Sequence, residues 1–147
     1  MLSRPDCGWA DITIGAFCDR CSYVQNVPSE LLDALIERLG KSKPTVVEID
    51  AEGYNYAIVF GMSSVYVIHD VCEETEAGVM SDGDESTLIQ LDMPVRSLAS
   101  ELIADIRRDI DAWGEWCLPS SEKVREDYKA KLLAKCSQLE ASMDSKV

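Results

Sequence analysis

The sequence predicts an α+β fold: an antiparallel sheet of five to six strands, one helix inserted after the second strand, and two C-terminal helices packed against the sheet. Three observations carry this. Residues 44–70, PTVVEIDAEGYNYAIVFGMSSVYVIHD, hold three runs of β-branched and aromatic residues separated by turn material, Ala51-Glu52-Gly53 and Gly61-Met62-Ser63. Leu31, Leu32, Leu35, Ile36 and Leu39 recur at helical spacing between Pro28 and Gly40. After Pro94 the period is again that of a helix, interrupted at Leu118-Pro119-Ser120.

In chain order, Ala10, Ile12, Ile14 and Ala16 alternate with Asp11 and Thr13, which describes a half-buried strand over residues 9–17. A short second strand is expected at residues 21–24. Pro28 suits a first helical position, and Glu30 complements the positive end of the helix dipole. The meander follows, with strands over 45–50, 54–60 and 65–70. Its second and third strands are apolar on both faces, so helices are expected on one face and a helix, a loop or a dimer partner over part of the other. A fourth strand of this sheet is expected at 86–92. From Pro94 the first C-terminal helix places Val95, Leu98, Ala99, Leu102, Ile106, Ile110 and Trp113 on one side. Ser120 or Ser121 caps the second, with Val124, Tyr128, Leu132, Cys136 and Leu139 in a stripe and fraying from about Ala141. The three tryptophans, Trp9, Trp113 and Trp116, are expected in or beside the core.

A chain of 147 residues that is 46% hydrophobic can bury a sizeable core without a disulfide or a metal, and a single domain over 1–147 is expected. The first residues hold no apolar run of the signal-peptide kind, and no stretch approaches a membrane span. With six cysteines and no leader, the expected compartment is the cytoplasm, with reduced thiols. The net charge of −13 is unevenly spread: residues 44–115 carry 16 acids and three bases, whereas the flanks nearly balance. Such a field repels nucleic acid and anionic membranes and attracts basic partners. Residues 70–86 alone contain seven acids and no base, and with Gly78 and Gly83 they suggest an exposed loop or irregular hairpin.

Two constellations could carry chemistry. Cys18-x-x-Cys21 and His69-x-x-Cys72 have the paired spacing of a tetrahedral zinc site, provided that the two pairs meet. The carboxylates Glu73, Glu74, Glu76, Asp82, Asp84 and Glu85 could meet a hard cation, although their spacing does not match a twelve-residue calcium loop. His69 is the single histidine, and there is no nucleophile elbow, phosphate loop or His-Glu-x-x-His motif. No catalytic residue is therefore expected, and no cofactor.

In Trp9-Ala10-Asp11-Ile12-Thr13-Ile14-Gly15, Val27-Pro28 with Leu31-Leu32, and Asp50-Ala51-Glu52-Gly53, the chain resembles small bacterial proteins of one α+β domain, over roughly residues 9–116. In size and acidity it is also similar to the immunity proteins that accompany bacterial toxins. That resemblance implies a protein partner, such as a basic toxin, and no site residues. The expected function is non-catalytic protein binding through Glu73, Glu74, Glu76, Asp82, Asp84 and Glu85, with a homodimer as a further possibility. The alternative is a small zinc-binding protein using Cys18, Cys21, His69 and Cys72.

Overall fold

The computed structural model describes residues 1–74, 80–117 and 121–145, and the side chains of all of these except 70–74 and 80–87. The fold is α+β, and its six strands fall into two antiparallel sheets. Strands β1 (Trp9–Ile14) and β2 (Phe17–Ser22) form a hairpin of their own. Gly15, at φ +58°, occupies the first position of its two-residue turn, where a glycine takes the left-handed backbone without strain. Helix α1 (Val27–Lys41) is inserted next, followed by a second sheet in the order β3 (Thr45–Asp50), β4 (Asn55–Phe60), β5 (Val65–Glu74) and β6 (Met80–Leu91).

Strands β3 and β4 lie within a residue of their expected bounds and β5 starts where expected but runs four residues past Asp70; the alternation is regular, with Val47 and Ile49 buried on β3, Tyr56, Ile58 and Phe60 on β4, and Val65 and Val67 on β5. Helix α1 lays Leu31, Leu32, Leu35 and Leu39 on β3 and β4, and α4 (Glu122–Asp144) crosses its other side. The opposite face of this sheet shows Val46, Ile68 and Leu88 at 57, 38 and 65% exposure, so no helix or loop among the described residues covers these side chains. The expected second strand lies earlier than 21–24, because the tight Gly15-Ala16 turn starts β2 at Phe17.

The acidic segment is in part an extension of the sheet. Strand β5 runs on to Glu74 and β6 begins at Met80, with a register shift between Asp70 and Cys72. Residues 70–74 and 80–86 are thus arms of an irregular hairpin rather than loop, and residues 75–79 lie outside the described residues. Gly83, Asp84 and Glu85, poor strand formers, fall in that irregularity, between the Cys72–Asp82 and Asp70–Ser86 pairs.

The helix expected from Pro94 to Trp113 is divided. Helix α2 (Val95–Arg108) stops at Asp109, whose backbone leaves the helical region, and a short α3 (Ile110–Gly114) resumes. The break turns Trp113 and Trp116 into the core, edge to face at 5.1 Å, and lets the Trp116 indole N–H donate to the Gln25 carbonyl at 2.9 Å. The Ser121 hydroxyl caps α4 by accepting from the Val124 N–H; the helix continues past Ala141 to Asp144, and Val124 stays outside the buried stripe of Leu132, Cys136 and Leu139.

Arg38 is the one buried charged side chain among the described residues. From α1 its guanidinium donates to the Gly61 carbonyl at 2.8 Å and the Met62 carbonyl at 2.9 Å, holding the β4–β5 turn. Arg38→Met keeps the apolar stem but strips both acceptors of a charged donor, so urea denaturation should show a loss of about 2 kcal/mol.

Candidate functional site

Two regions concentrate chemistry: the junction of the hairpin with the large sheet, and a groove along the free edge of β3. At the junction, alternation on β2 turns Phe17, Asp19 and Cys21 toward the sheet and Cys18 outward. Asp19 is therefore an acid on a largely buried face, and it is satisfied from the sheet: His69 Nε2 lies 2.7 Å from its Oδ2, and the Tyr54 hydroxyl donates to its Oδ1. His69 stacks on Tyr56, its antiparallel neighbour, with ring centroids 5.8 Å apart and planes within 6°. Tyr54 lies tilted against it at 5.4 Å and Phe17 edge-on at 6.5 Å. The Tyr56 hydroxyl donates to the Arg20 carbonyl at 2.9 Å, and the Arg20 guanidinium sits 4.7 Å from the centre of the Trp9 ring. The buried Ser22 hydroxyl bonds Glu52 in the β3–β4 turn.

Burial, then the hydrogen bond to Asp19 and its charge, pushes the Tyr54 hydroxyl up to about 12. Burial drives Tyr56 up as well. Both phenols therefore stay protonated at neutral pH and serve as donors that fasten the hairpin to the sheet. Sequence reasoning missed Asp19, although the alternation Phe17, Asp19, Cys21 marks an acid on a buried face.

Of the four proposed zinc ligands, Cys18 and Cys21 do not meet as their spacing implied. A separation of three along a strand sends Cys18 and Cys21 to opposite faces, because side chains alternate. Cys18 is exposed, whereas Cys21 is fully buried and burial holds its thiol up at about 12, a poor state for a ligand that must be a thiolate. The 18–21 segment does meet His69, but through Asp19. Cys72 pairs with Asp82 across β5 and β6, and its side chain lies outside the described ones. Among the described residues no three His, Cys, Asp or Glu side chains gather at a metal-holding distance. Thiol labelling of the native protein should modify Cys18 rapidly and leave Cys21 unmodified until unfolding; equal rates would contradict their opposed faces.

The second region is a groove of about 850 Å³ between α1 and β3. Glu30, Asp33 and Glu37 line it from the helix, Glu48 and Asp50 from the strand, and Lys43 is the one basic residue in its lining. Glu37 is bonded by Lys43 at 2.7 Å and Lys41 at 3.2 Å, which hold its carboxyl below the usual range, and Asp33 by Lys135 at 2.5 Å. Glu30, Glu48 and Asp50 have no basic partner within ion-pair distance among the described residues. Gln25 closes one end: its amide nitrogen donates to the Glu48 carbonyl and to Glu30, both at 2.6 Å, and its amide oxygen accepts from the Asp50 N–H at 2.9 Å. His69 is not among the residues lining this groove.

Of the six acids proposed as a contact surface, Glu73, Glu74, Asp82, Asp84 and Glu85 lie on the arms of the β5–β6 hairpin, with side chains outside the described ones, and Glu76 lies outside the described residues. No helix of the described residues is long and apolar enough to cross a membrane. Compared with known protein families, with curated proteins and with solved structures, the chain matches none of them.

Proposed function

We propose that this is a non-catalytic binding domain for a basic protein, which it holds against the acidic groove between α1 and β3. The observation that supports this is the lining of that groove, five carboxylates against one amine in a chain of net charge −13. The acidic arms of β5 and β6 add to the same field and steer the partner as it approaches. A small acidic antagonist of a basic toxin, as in immunity systems, is the kind of role such a surface serves. The groove stands apart from the Asp19–His69 cluster, whose groups are engaged in joining the two sheets.

The tagged protein, incubated with an extract of the cells that make it, tests this directly. The expected result is a near-stoichiometric basic protein that is retained at low ionic strength and released by salt. Retention of acidic proteins alone, or of none, would overturn the proposal.

A further inference from the structure

The edge of β3 carries an inference that rests on the proposed function and specifies how the partner is held. In the β3–β4 ladder the odd-numbered residues of β3 bond inward, as the Ala51 N–H to Tyr54 carbonyl bond at 3.0 Å at its end shows. In an antiparallel pair the alternate residues must then aim their N–H and C=O groups away from β4. On β3 these are Val46, Glu48 and Asp50. Because β3 is the outermost strand, they face the groove.

Gln25 shows that this edge accepts amide pairing. Its carboxamide bonds the Glu48 carbonyl and the Asp50 N–H at once, as the backbone of an added strand would. The Val46 N–H, the Val46 carbonyl and the Glu48 N–H are left facing the groove with no partner among the described residues. Exposed edges of this kind are templates for another strand.

We propose that an extended basic segment of the partner adds to β3 as a fifth strand of the sheet, pairing with Val46 and Glu48 and stopping against Gln25. Alternate side chains of such a strand stand on opposite faces. One set faces Glu30, Asp33 and Glu37 of α1, and the other lies beside Val46, Glu48 and Asp50, so lysine or arginine fits both sides and an apolar residue fits opposite Val46. Charge selects this occupant over a second copy of the chain. Pairing β3 with β3 would bring two sets of the same five carboxylates together, in chains that each carry −13.

The test uses a synthetic peptide, Lys-Val-Lys-Val-Lys-Val, and amide hydrogen exchange followed by NMR. The Val46 and Glu48 amides should exchange quickly in the free protein and at least tenfold more slowly with the peptide, while Val47 and Ile49, already bonded to β4, change little. Val46→Pro removes one of the pairing N–H groups at an edge position where proline is tolerated, and should weaken peptide binding at least tenfold with thermal unfolding nearly unchanged. If Val46→Pro fails to fold, the same peptide methylated at every amide nitrogen has the same charge and no donors, and should lose binding equally.

Salt-sensitive binding of the methylated and plain peptides alike, without protection of Val46 and Glu48, would overturn strand addition and leave the basic-partner proposal standing. Failure of the plain peptide to bind overturns strand addition as well, and the fate of the wider proposal is then read from the capture experiment. Protection that grows with protein concentration and without peptide would assign the edge to a second copy and overturn the proposed occupant.

Discussion

Changing Glu30, Glu48 and Asp50 together to lysine should weaken binding of the basic partner by about a hundredfold at low ionic strength, with a much smaller loss at high salt. These are the three groove carboxylates with no lysine or arginine in ion-pair reach among the described residues, so their charge is available to an incoming cation. An exposed charge pair contributes up to about 1 kcal/mol, and three such losses amount to two decades in affinity. Screening over a Debye length of about 8 Å at physiological salt sets the expected salt dependence. Glu48 and Asp50 are exposed, so the fold should survive the change, although Glu30 in the first turn of α1 contributes a little through the helix dipole. Reversing Glu73 and Glu74 on the β5 arm should instead slow association and leave dissociation nearly unchanged, since charges outside a contact act mainly on encounter. Titration calorimetry and stopped-flow mixing at two salt concentrations separate these effects.

Tyr56→Ala should cost about 3–5 kcal/mol, enough to unfold a marginally stable domain. Tyr56 is 2% exposed and takes part in two contacts that join the two sheets, its ring meeting the edge of Phe17 and its hydroxyl reaching the Arg20 carbonyl, while within its own sheet the ring stacks on His69. Truncation opens a cavity under the hairpin and leaves that carbonyl without its donor. Tyr56→Phe keeps the ring and removes only the hydroxyl, so it should cost about 1 kcal/mol. Denaturant titration of the two variants divides packing from hydrogen bonding. A loss below about 1 kcal/mol for Tyr56→Ala would mean that the hairpin is held mainly by other contacts.

The parts of the fold that were legible are those in which one local rule dominates. The meander shows because Val47, Ile49, Ile58 and Val67 alternate without interruption between turn residues, and α1 because its leucines keep one face. The division of the strands into two sheets was not legible, since the Gly15-Ala16 and Ala51–Gly53 turns look alike whichever sheet their strands join. The stop at Asp109 was hidden for a different reason: the helical period runs through it, and tertiary packing of Trp113 and Trp116 decides the outcome. Where a strand carries a C-x-x-C spacing the side chains diverge, and only knowledge that residues 18–21 are β rather than a turn reveals it. The groove lay outside sequence reading almost entirely. Glu30, Asp33 and Glu37 come from a helix, Glu48 and Asp50 from a strand, and nothing in their spacing says that both sets line one edge. The charge excess of residues 44–115 was visible; that Glu48 and Asp50 meet Glu30, Asp33 and Glu37 along a free strand edge required the fold.

Native mass spectrometry of the protein isolated gently from its own cells tests the central claim most directly, because one spectrum reports partner and subunit count together. The expected result is a complex with one basic protein, dissociated by raising the salt before measurement. A bare monomer or a homodimer, under conditions gentle enough to keep known complexes of similar salt sensitivity intact, would contradict it.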